Sequence, residues 1–335
     1  MVKLALLSAW HVHTGWFADE LKKSGLGEIV VVWDEDAQRG KEMAEHLSVA
    51  FEPDLETVLG REDVDGVMVE CPTTKHRELI VKAAEAKKHI FSDKALALTS
   101  EDCQAIEEAV EKNGVKFLLS LESKIIGVYQ QAIELVQQGK LGRVTSAYFR
   151  RAHQAALDPN MLPAYWFNTD ETGGGVTLDL GCHGFYLLPE ICGKPKKVTC
   201  LMNELYGTGS DENSTTVIEF ENGAIGTSHT SFVSYRMDNL LEIVGTEGIL
   251  VVSGADAGHY RMLLQSAHMP GYEELTPVPQ EKLRKDDEFP IVKFAKLIQS
   301  DEKQIPEFSL DVAKTLTRLI ECAYESAKTG QTVNF

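Results

Sequence analysis

Two residues near the middle of the sequence have the chemistry and the spacing for proton transfer. In residues 173–188 (GGGVTLDLGCHGFYLL), Asp179 and His183 lie four positions apart. If this stretch is helical, both side chains share one face, where a carboxylate can orient an imidazole and raise its basicity. The three glycines ahead of them would let the backbone approach another group closely. A structural Asp–His pair has the same spacing, so both interpretations stay open.

A second candidate group is a pair of opposite charges. Residues 89–100 (HIFSDKALALTS) place Asp93 and Lys94 at the end of an apolar, strand-like run. Ligands of open α/β sheets bind at the carboxyl ends of the strands, so these charges are candidates for a binding site. A solvated ion pair is an equal alternative from position alone.

A third stretch has the position of a nucleotide-binding turn without its glycines. Residues 4–17 (LALLSAWHVHTGWF) begin as a strand, but the turn that follows reads from Ser8 to His13. His11 and His13, if protonated, could neutralise phosphate charge; local packing is the alternative. An H-x-H pair alone does not specify a third metal ligand. The spacing does not indicate that His153 or His183 approaches His11 and His13, so no metal site is predicted.

Acidic residues end the second strand-like run. Asp34 follows Trp33 just over 20 residues after the turn, with Glu35 and Asp36 behind it. An acid at this point accepts hydrogen bonds from an adenosine ribose 2′-hydroxyl and repels a 2′-phosphate. If a dinucleotide binds, these acids favour NAD over NADP; the alternative is that they form a solvated capping turn.

The elements that must position these residues alternate between strand and helix over the first 120 residues. Ser100 is the expected N-cap of one helix and Gly114 its C′ residue. Short Val-, Ile- and Leu-rich runs separated by amphipathic segments predict an α/β fold, a doubly wound parallel sheet of the Rossmann type. The expected strands are residues 2–7, 28–33, 66–70, 89–92 and 115–120, and the expected helices are 41–47, 78–86 and 101–113.

Beyond residue 143 the pattern changes to successive strands with tight turns. Asn222–Gly223 suits the two positive φ values of a type I′ turn, and residues 310–327 form an amphipathic helical pattern. We expect a dinucleotide-binding domain over residues 1–122 and, over 123–335, an α+β domain with a large, mostly antiparallel open sheet. The expected strands are residues 143–150, 197–203, 215–220, 224–232, 239–244 and 249–253.

In this order and spacing, the segments resemble the Gfo/Idh/MocA oxidoreductase family, named for glucose–fructose oxidoreductase and inositol dehydrogenase. Residues 63–99 (DVDGVMVECPTTKHRELIVKAAEAKKHIFSDKALALT) are similar to that family's fourth strand, helix and GKHVLxEKPLALT signature. Residues 132–149 (AIELVQQGKLGRVTSAYF) are similar to its interdomain helix and first sheet strand. Residues 241–252 (LEIVGTEGILVV) and 323–335 (AYESAKTGQTVNF) are similar to its later strand pair and terminal helix.

The resemblance implies an NAD(P)-dependent oxidoreductase that transfers a hydride between a nicotinamide cofactor and a sugar, inositol or related polyol. Lys94 matches a lysine that contacts substrate and nicotinamide ribose, Asp179 a substrate-binding acid and His183 the general base. The implied cofactor-binding residues are Ser8, Ala9, Trp10, His11, Val12, Asp34, Cys71, Pro72, Thr73, His76, Asp93 and Lys94. The implied substrate-binding residues are Lys94, Lys124, His153, Trp166, Asp179 and His183.

The sequence departs from the family pattern at the turn and at the signature. Ser8, Trp10 and His13 stand where the family has glycine, Ala95 replaces a proline, and Lys124 replaces an arginine. An indole at the second glycine position must swing away from the phosphates or block them. The alternative function is therefore a non-catalytic sugar-binding or regulatory relative that has lost dinucleotide binding.

The composition disfavours some classes of binding partner and indicates the cellular compartment. A net charge of −18 over 335 residues disfavours nucleic acids and anionic membranes as partners. The six cysteines form no C-x-x-C pair and are expected to be reduced, and no apolar run reaches the roughly 18 residues of a membrane span. We expect a cytoplasmic protein and, from the resemblance, a homodimer or homotetramer formed through the C-terminal sheet.

Overall fold

The computed structural model describes residues 1–254 and 259–335, which divide into two compact units. The first contains Met1–Glu122 and Glu288–Thr317, and the second contains Ser123–Asp287 and Arg318–Phe335. The sequence alone assigned all residues after 122 to one domain, whereas the segment Glu288–Thr317 packs with the first unit. In chain order the elements are β1 (Val2–Leu7), α1 (Thr14–Ser24), β2 (Gly27–Trp33), α2 (Ala37–Leu47), β3 (Ala50–Phe51), α3 (Leu55–Leu59), β4 (Gly66–Val69), α4 (Thr73–Glu85), β5 (His89–Ser92), α5 (Ser100–Asn113), β6 (Phe117–Leu119), α6 (Gly127–Gln137), β7 (Val144–Ala152), α7 (Thr169–Thr172), α8 (Val176–Asp179), α9 (Gly181–Cys192), β8 (Pro195–Asn203), β9 (Asn213–Phe220), β10 (Ile225–Ser231), β11 (Asp238–Gly245), β12 (Gly248–Gly254), β13 (Arg261–Ser266), β14 (Thr276–Pro277), α10 (Pro290–Gln299), α11 (Leu310–Thr329) and β15 (Val333–Asn334).

The first unit is built on a six-stranded parallel sheet. Its strand order, β3-β2-β1-β4-β5-β6, is that of the dinucleotide-binding fold. Leu4, Leu6 and Leu7 of β1 are fully buried, as expected for a central strand that is covered on both faces. The predicted doubly wound sheet is confirmed, and the carboxyl ends of β1, β4 and β5 meet at one edge of it.

The N-cap of α5 lies one residue earlier than predicted. Thr99 is in the extended region, and its hydroxyl accepts the amide hydrogen of Asp102 at 3.1 Å. Ser100 is therefore the first residue of the helix, and its prediction as the N-cap was wrong. Gly114 ends the helix in the left-handed region (φ 65°), as predicted.

The second unit is built on a nine-stranded sheet of order β14-β13-β12-β11-β7-β10-β9-β8-β15. Its β7–β10 pair is parallel and the other pairs are antiparallel, so the predicted large, mostly antiparallel sheet is confirmed. Within the part of the chain that the structure describes, no helix is both long and apolar enough to cross a bilayer.

The hairpin turn between β9 and β10 differs from the predicted type I′ turn. Of the pair Asn222–Gly223, only Gly223 has a positive φ, at +89°. The amide of Gly223 donates to the carbonyl of Phe220 at 2.9 Å, and the amide of Phe220 donates to the carbonyl of Ala224 at 3.0 Å. This is the three-residue hairpin connection, in which a single left-handed glycine follows a type I turn.

The stretch that carries Asp179 and His183 is two consecutive helices rather than one. α8 ends at Asp179 and α9 begins at Gly181, while Leu180 between them keeps helical dihedral angles (φ −88°, ψ −30°). The glycines ahead of α8 make a close internal approach. A Cβ atom at Gly174 would collide with the Tyr324 hydroxyl, and one at Gly175 would collide with the backbone of Asp211. The glycines thus allow packing within the second unit.

Candidate functional site

The turn after β1 has the path of a phosphate-binding turn but uses its amides internally. Ser8 has φ +71°, a left-handed conformation in which glycine is the usual residue, and its hydroxyl donates to Glu35 Oε1 at 3.1 Å. The next three amides also donate within the protein: Ala9 to Asp34 Oδ2 at 2.7 Å, Trp10 to Ser8 Oγ at 3.3 Å and His11 to the carbonyl oxygen of Glu70 at 3.0 Å. Amides engaged in this way are not directed at a diphosphate.

The acid that ends β2 is held by an arginine that the sequence analysis did not single out. Arg39 donates to Asp34 from two nitrogens, Nε at 2.9 Å and Nη2 at 2.6 Å, and Nη2 also lies 2.7 Å from Glu35 Oε1. A bidentate guanidinium fixes the orientation of the carboxylate. Asp34 is buried directly after β2, the position at which dinucleotide-binding folds place a ribose-binding acid.

Two imidazoles and three carboxylates lie together at the carboxyl ends of β1, β4, β5 and β6. His11 Nδ1 lies 2.9 Å from Asp93 Oδ2 and 3.9 Å from Glu70 Oε2. His13 Nδ1 lies 2.8 Å from Glu122 Oε1 and 3.9 Å from Asp93 Oδ2. The ligand atoms of His11, His13 and Asp93 all lie within 4.8 Å of one another. Asp93 therefore stands beside the H-x-H pair as a third group with a potential ligand atom, which the sequence spacing did not indicate.

Burial and mutual charge shift the pKa values of this cluster in opposite directions. Burial raises the pKa of Glu70 well above its usual range, and the carboxylate of Asp93 raises it further. Burial lowers the pKa of His11, although Asp93 opposes that shift. Burial also disfavours charged His13, but Glu122 raises the pKa of His13 above its usual value. For Asp93 burial alone would raise the pKa, and His11 holds it below its usual range.

The structure places four further predicted site residues of the first unit. The amide of Lys94 donates to Asp93 Oδ1 at 2.7 Å, the Lys94 side chain is buried, and the Lys94–Ala95 peptide bond is cis. The ring nitrogens of His76 lie 3.1 Å from the Leu96 carbonyl oxygen and 3.0 Å from that of Cys71. His76 thus bridges two backbone segments. Pro72 precedes α4 as its N-cap and Thr73 is the first residue of that helix.

In the second unit, His183 is buried on α9 with its Nδ1 in a nest of three polar groups. Nδ1 lies 2.8 Å from Ser123 Oγ, 2.5 Å from the Tyr186 hydroxyl and 3.2 Å from Arg151 Nη1. Arg151 Nη1 also donates to Ser123 Oγ at 3.0 Å, and the amide of Ser123 donates to the Tyr186 hydroxyl at 3.0 Å. The ring is thereby held in one orientation from its Nδ1 side.

The other predicted substrate residues of this unit lie in separate contacts. Trp166 Nε1 donates to Asp179 Oδ2 at 3.2 Å, and Lys124 forms an ion pair with Glu190 of α9. His153 stacks on Phe232 with ring centroids 5.1 Å apart, and its Nδ1 accepts the amide hydrogen of Ala155 at 3.2 Å. The contacts of His153 are typical of a packed histidine, whereas Asp179 has an indole donor that orients it.

Sequence reasoning missed several residues that complete these groups. Tyr186 lies three residues after His183 on a helix, so its contact with the imidazole was available from the spacing. Ser123 and Arg151 reach His183 from distant segments, and only the fold brings them there. Glu70 and Glu122 each follow a strand end, as Asp93 does, and the shared sheet edge was the available signal.

Comparisons with known proteins identify the family. A GFO/IDH/MocA model described as an oxidoreductase family with an NAD-binding Rossmann fold matches residues 8–121, and the model of that family's C-terminal domain matches residues 129–251. The 1,5-anhydro-D-fructose reductase of Ensifer adhaerens is 26% identical over 255 residues, which cover 75% of each chain. The scyllo-inositol 2-dehydrogenase (NAD(+)) of Bacillus subtilis is 28% identical over 246 residues, covering 70% of this chain and 69% of that protein.

A solved structure extends the likeness over both units. Levoglucosan dehydrogenase in complex with NADH aligns with a TM-score of 0.83 at 19% identity, covering 99% of this chain and 98% of that one, which shows a shared fold. The two family models confirm the family resemblance drawn from the sequence. The chain belongs to the GFO/IDH/MocA family of oxidoreductases, whose N-terminal domain is an NAD-binding Rossmann fold.

Proposed function

We propose that the protein is an NAD-dependent dehydrogenase that transfers a hydride between nicotinamide and a sugar, inositol or related polyol. The observation that carries the proposal is the buried His183 imidazole, oriented through Nδ1 by two hydroxyl groups and a guanidinium. Membership of an oxidoreductase family and relatives named as sugar and inositol oxidoreductases support the substrate class.

In the proposed reaction His183 accepts the proton of the substrate hydroxyl as the carbinol carbon becomes a carbonyl. The carbinol C–H bond breaks with its electron pair, and the nicotinamide cofactor, when bound, accepts that hydride. We assign the accepted proton to Nε2. This requires the tautomer in which Nδ1–H donates to the Ser123 or Tyr186 hydroxyl group, because the Arg151 guanidinium can only donate. A positioned base of this type contributes roughly 10²–10⁴ in rate.

Lys94 is assigned to the developing negative charge on the substrate oxygen. An ammonium group in a buried position stabilises an alkoxide more strongly than it would in water. The backbone at Lys94 is held by Asp93 Oδ1, which supports a fixed position for the side chain. Asp179, Lys124, His153 and Trp166 complete the proposed substrate residues, with Asp179 oriented by the Trp166 indole.

In the first unit, the residues near the expected adenosine ribose suit the cofactor better than the turn near its diphosphate does. Asp34 suits an adenosine ribose and disfavours a 2′-phosphate, so we propose NAD rather than NADP. Around the diphosphate, the amides of Ala9, Trp10 and His11 already have acceptors. We propose that the start of α1 supplies the diphosphate contacts instead: a Cβ at Gly15 would meet no atom within 4 Å, and helix N-termini attract anions. The proposed cofactor residues otherwise remain Ser8, Val12, Cys71, Pro72, Thr73, His76, Asp93 and Lys94.

The decisive experiment is a titration of the purified protein with NADH and NADPH, followed by nicotinamide fluorescence. We expect NADH to bind and NADPH to bind more weakly. A panel of inositols, aldoses and anhydro sugars, assayed at 340 nm with NAD, then identifies the substrate class. Thermal stabilisation by a sugar without any response to either nucleotide would contradict the proposal and support the regulatory alternative.

We also propose a homodimer or homotetramer formed through the outer face of the nine-stranded sheet. On β8, β9 and β10, the apolar side chains of Leu201, Val217 and Ile225 are 77%, 40% and 49% exposed. The strand register places these three side chains on one face of the sheet, and exposed apolar side chains grouped on one face are candidates for a protein interface. Light scattering should give a dimeric or larger mass, and Leu201→Glu should reduce it, while Leu275→Glu, an exposed leucine outside these three strands, should not. A monomeric wild-type protein would exclude this arrangement.

A cytoplasmic location is proposed from the cysteines. All six are free thiols and all six are buried, which suits a reducing compartment. Fractionation of the source cells, with the protein followed by immunoblot, tests the assignment, and recovery in a secreted or periplasmic fraction would overturn it.

A further inference from the structure

We propose that His11, His13 and Asp93 bind a divalent transition-metal ion. Their ligand atoms lie within 4.8 Å of one another, with Asp93 Oδ2 at 2.9 Å from His11 Nδ1 and 3.9 Å from His13 Nδ1. Ligand atoms about 2.1 Å from a tetrahedral ion are about 3.4 Å apart. The two distances to Asp93 would each change by about half an ångström, and the separation of the two histidine nitrogens, at most 4.8 Å, would change by no more than about 1.4 Å. The proposal goes beyond the dehydrogenase function. Asp93 is also a proposed cofactor residue, so metal binding is tested without nucleotide.

A fully buried carboxylate points to the same place. Glu70 has no solvent exposure, neither of its oxygens has a hydrogen-bond partner among the described residues, and Oε2 lies 3.9 Å from His11 Nδ1. Buried carboxylates are otherwise paired, hydrogen-bonded or ligated to metal, because desolvation of an unsatisfied carboxylate is costly. A cation bound to His11 and Asp93 would satisfy Glu70, as a further ligand or as a nearby counter-charge.

The hydrogen bonding of His11 also leaves room for a cation. The amide of His13 donates to His11 Nδ1 at 3.2 Å, so the nitrogen acts there as an acceptor. The same nitrogen is 2.9 Å from Asp93 Oδ2, which is also an acceptor. Two acceptor atoms at that separation repel each other unless a proton or a metal ion lies between them. The proton is therefore the competing occupant, and the experiment must separate it from a metal.

Charge and ligand type favour a divalent ion of the zinc and cobalt kind. The raised pKa values of Glu70 and His13 favour protons on both groups when no ion is bound, and a metal ion would displace those protons. The deprotonated cluster then has three carboxylates, of Glu70, Asp93 and Glu122, against the buried ammonium of Lys94, and the two remaining negative charges match a divalent ion. Two imidazoles and one carboxylate suit Zn²⁺, Co²⁺ or Mn²⁺ better than Mg²⁺ or Ca²⁺, which prefer oxygen ligands. The His13 side chain is 30% exposed and gives the ion a route from solvent.

The test measures metal alone, without nucleotide or substrate. Full-length protein is stripped with a chelator and dialysed against CoCl₂ or ZnCl₂, and bound metal is counted by mass spectrometry. We expect one ion per chain and, for Co²⁺, visible absorption bands of a site with nitrogen ligands. Asp93→Asn, His13→Gln and Glu70→Gln should each weaken Co²⁺ binding at least ten-fold. His268→Gln, which alters a surface histidine 2.5 Å from Glu247, is the matched control and should bind as wild type does.

Three results would overturn the proposal: no retained Co²⁺ or Zn²⁺ at micromolar concentration, wild-type affinity in both His13→Gln and Asp93→Asn, or equal binding of MgCl₂. The first would assign a shared proton to the cluster instead. If Asp93→Asn fails to fold, judged by circular dichroism, the partly exposed His13 still provides the test. Because NADH titration is a separate measurement, failure of the metal site and failure of the dehydrogenase proposal are distinguishable.

Discussion

The two units each bury histidines near the residues proposed to act, but they surround them with opposite chemistry. In the first unit, His11 and His13 face the carboxylates of Asp93 and Glu122. In the second, His183 Nδ1 faces two hydroxyl groups and the guanidinium of Arg151. Carboxylates stabilise a positive charge placed among them, whereas a guanidinium repels one and hydroxyl groups orient a ring without adding charge.

The difference separates two tasks that histidine can perform. An imidazole surrounded by several carboxylates is well suited to hold a cation, either its own proton or a metal ion. An imidazole held by hydroxyl groups can take up and release a proton with little reorganisation of its neighbours. The first cluster is accordingly assigned to binding, and His183 to proton transfer.

The largest expected effect follows from removing the proton acceptor. His183→Ala should lower kcat/KM for polyol oxidation by about 10²–10⁴-fold, because no other group takes over the positioned base. The NADH dissociation constant should stay within a factor of two of wild type. Steady-state kinetics and fluorescence titration give the two numbers, and His268→Ala is the surface control. If His183→Ala retained most of the wild-type activity, His183 would not be the general base.

The second prediction compares the contributions of two tryptophans to stability: Trp10 lies in the turn after β1, and Trp16 lies in α1. Trp10 is 5% exposed, whereas Trp16 is 43% exposed. Trp10→Ala should lower the free energy of unfolding by about 3–5 kcal/mol, the range for truncating a buried large aromatic side chain. Trp16→Ala should cost much less, since much of its surface is already in water. Urea denaturation of both variants compares them, and equal losses would mean that the turn is not a packed element.

Sequence reasoning recovered the framework better than the details, for a physical reason. β1 and β5 were predicted at their observed bounds because buried parallel strands are short apolar runs with clear ends. The N-cap was misplaced between Thr99 and Ser100 because both hydroxyls can cap, and only the backbone conformation selects one. The turn at residues 221–223 was misassigned because Asn-Gly also occurs in three-residue hairpin connections.

The candidate site was predictable only where its partners are close in sequence or share a strand end. Lys94, Asp179 and His183 were found from local motifs, and their roles remain proposals. Arg151 and Ser123 could not be found, because only the fold brings them to His183, from 32 and 60 residues away in sequence. The hydrogen bonds from the turn amides to Asp34 and Glu70 could not be predicted either, because they depend on which strands lie beside the turn.

A third prediction sharpens the binding role of the first unit by changing one charge. Asp34→Asn keeps the shape of the side chain but frees Arg39 from its bidentate partner. The ratio of NADPH to NADH affinity should rise by roughly ten-fold or more, because the lost charge no longer repels a 2′-phosphate and a nearby arginine can bind one. Asp63→Asn, which breaks a similar pair with Arg61 at the surface, is the control. An unchanged ratio would remove Asp34 from the proposed cofactor site.

The smallest expected effect concerns the hydroxyl groups that hold His183. Tyr186→Phe removes only the hydroxyl 2.5 Å from Nδ1 and leaves the ring that packs beside the imidazole. Loss of one such hydrogen bond is worth about 0.5–1.5 kcal/mol, so kcat should fall roughly two- to ten-fold. KM for the polyol should be unchanged, because Tyr186 is assigned to positioning the base rather than to binding substrate. A rise in KM at constant kcat would instead place Tyr186 among the substrate-binding residues, and His183 would then lose the hydroxyl support on which its assignment as the base rests.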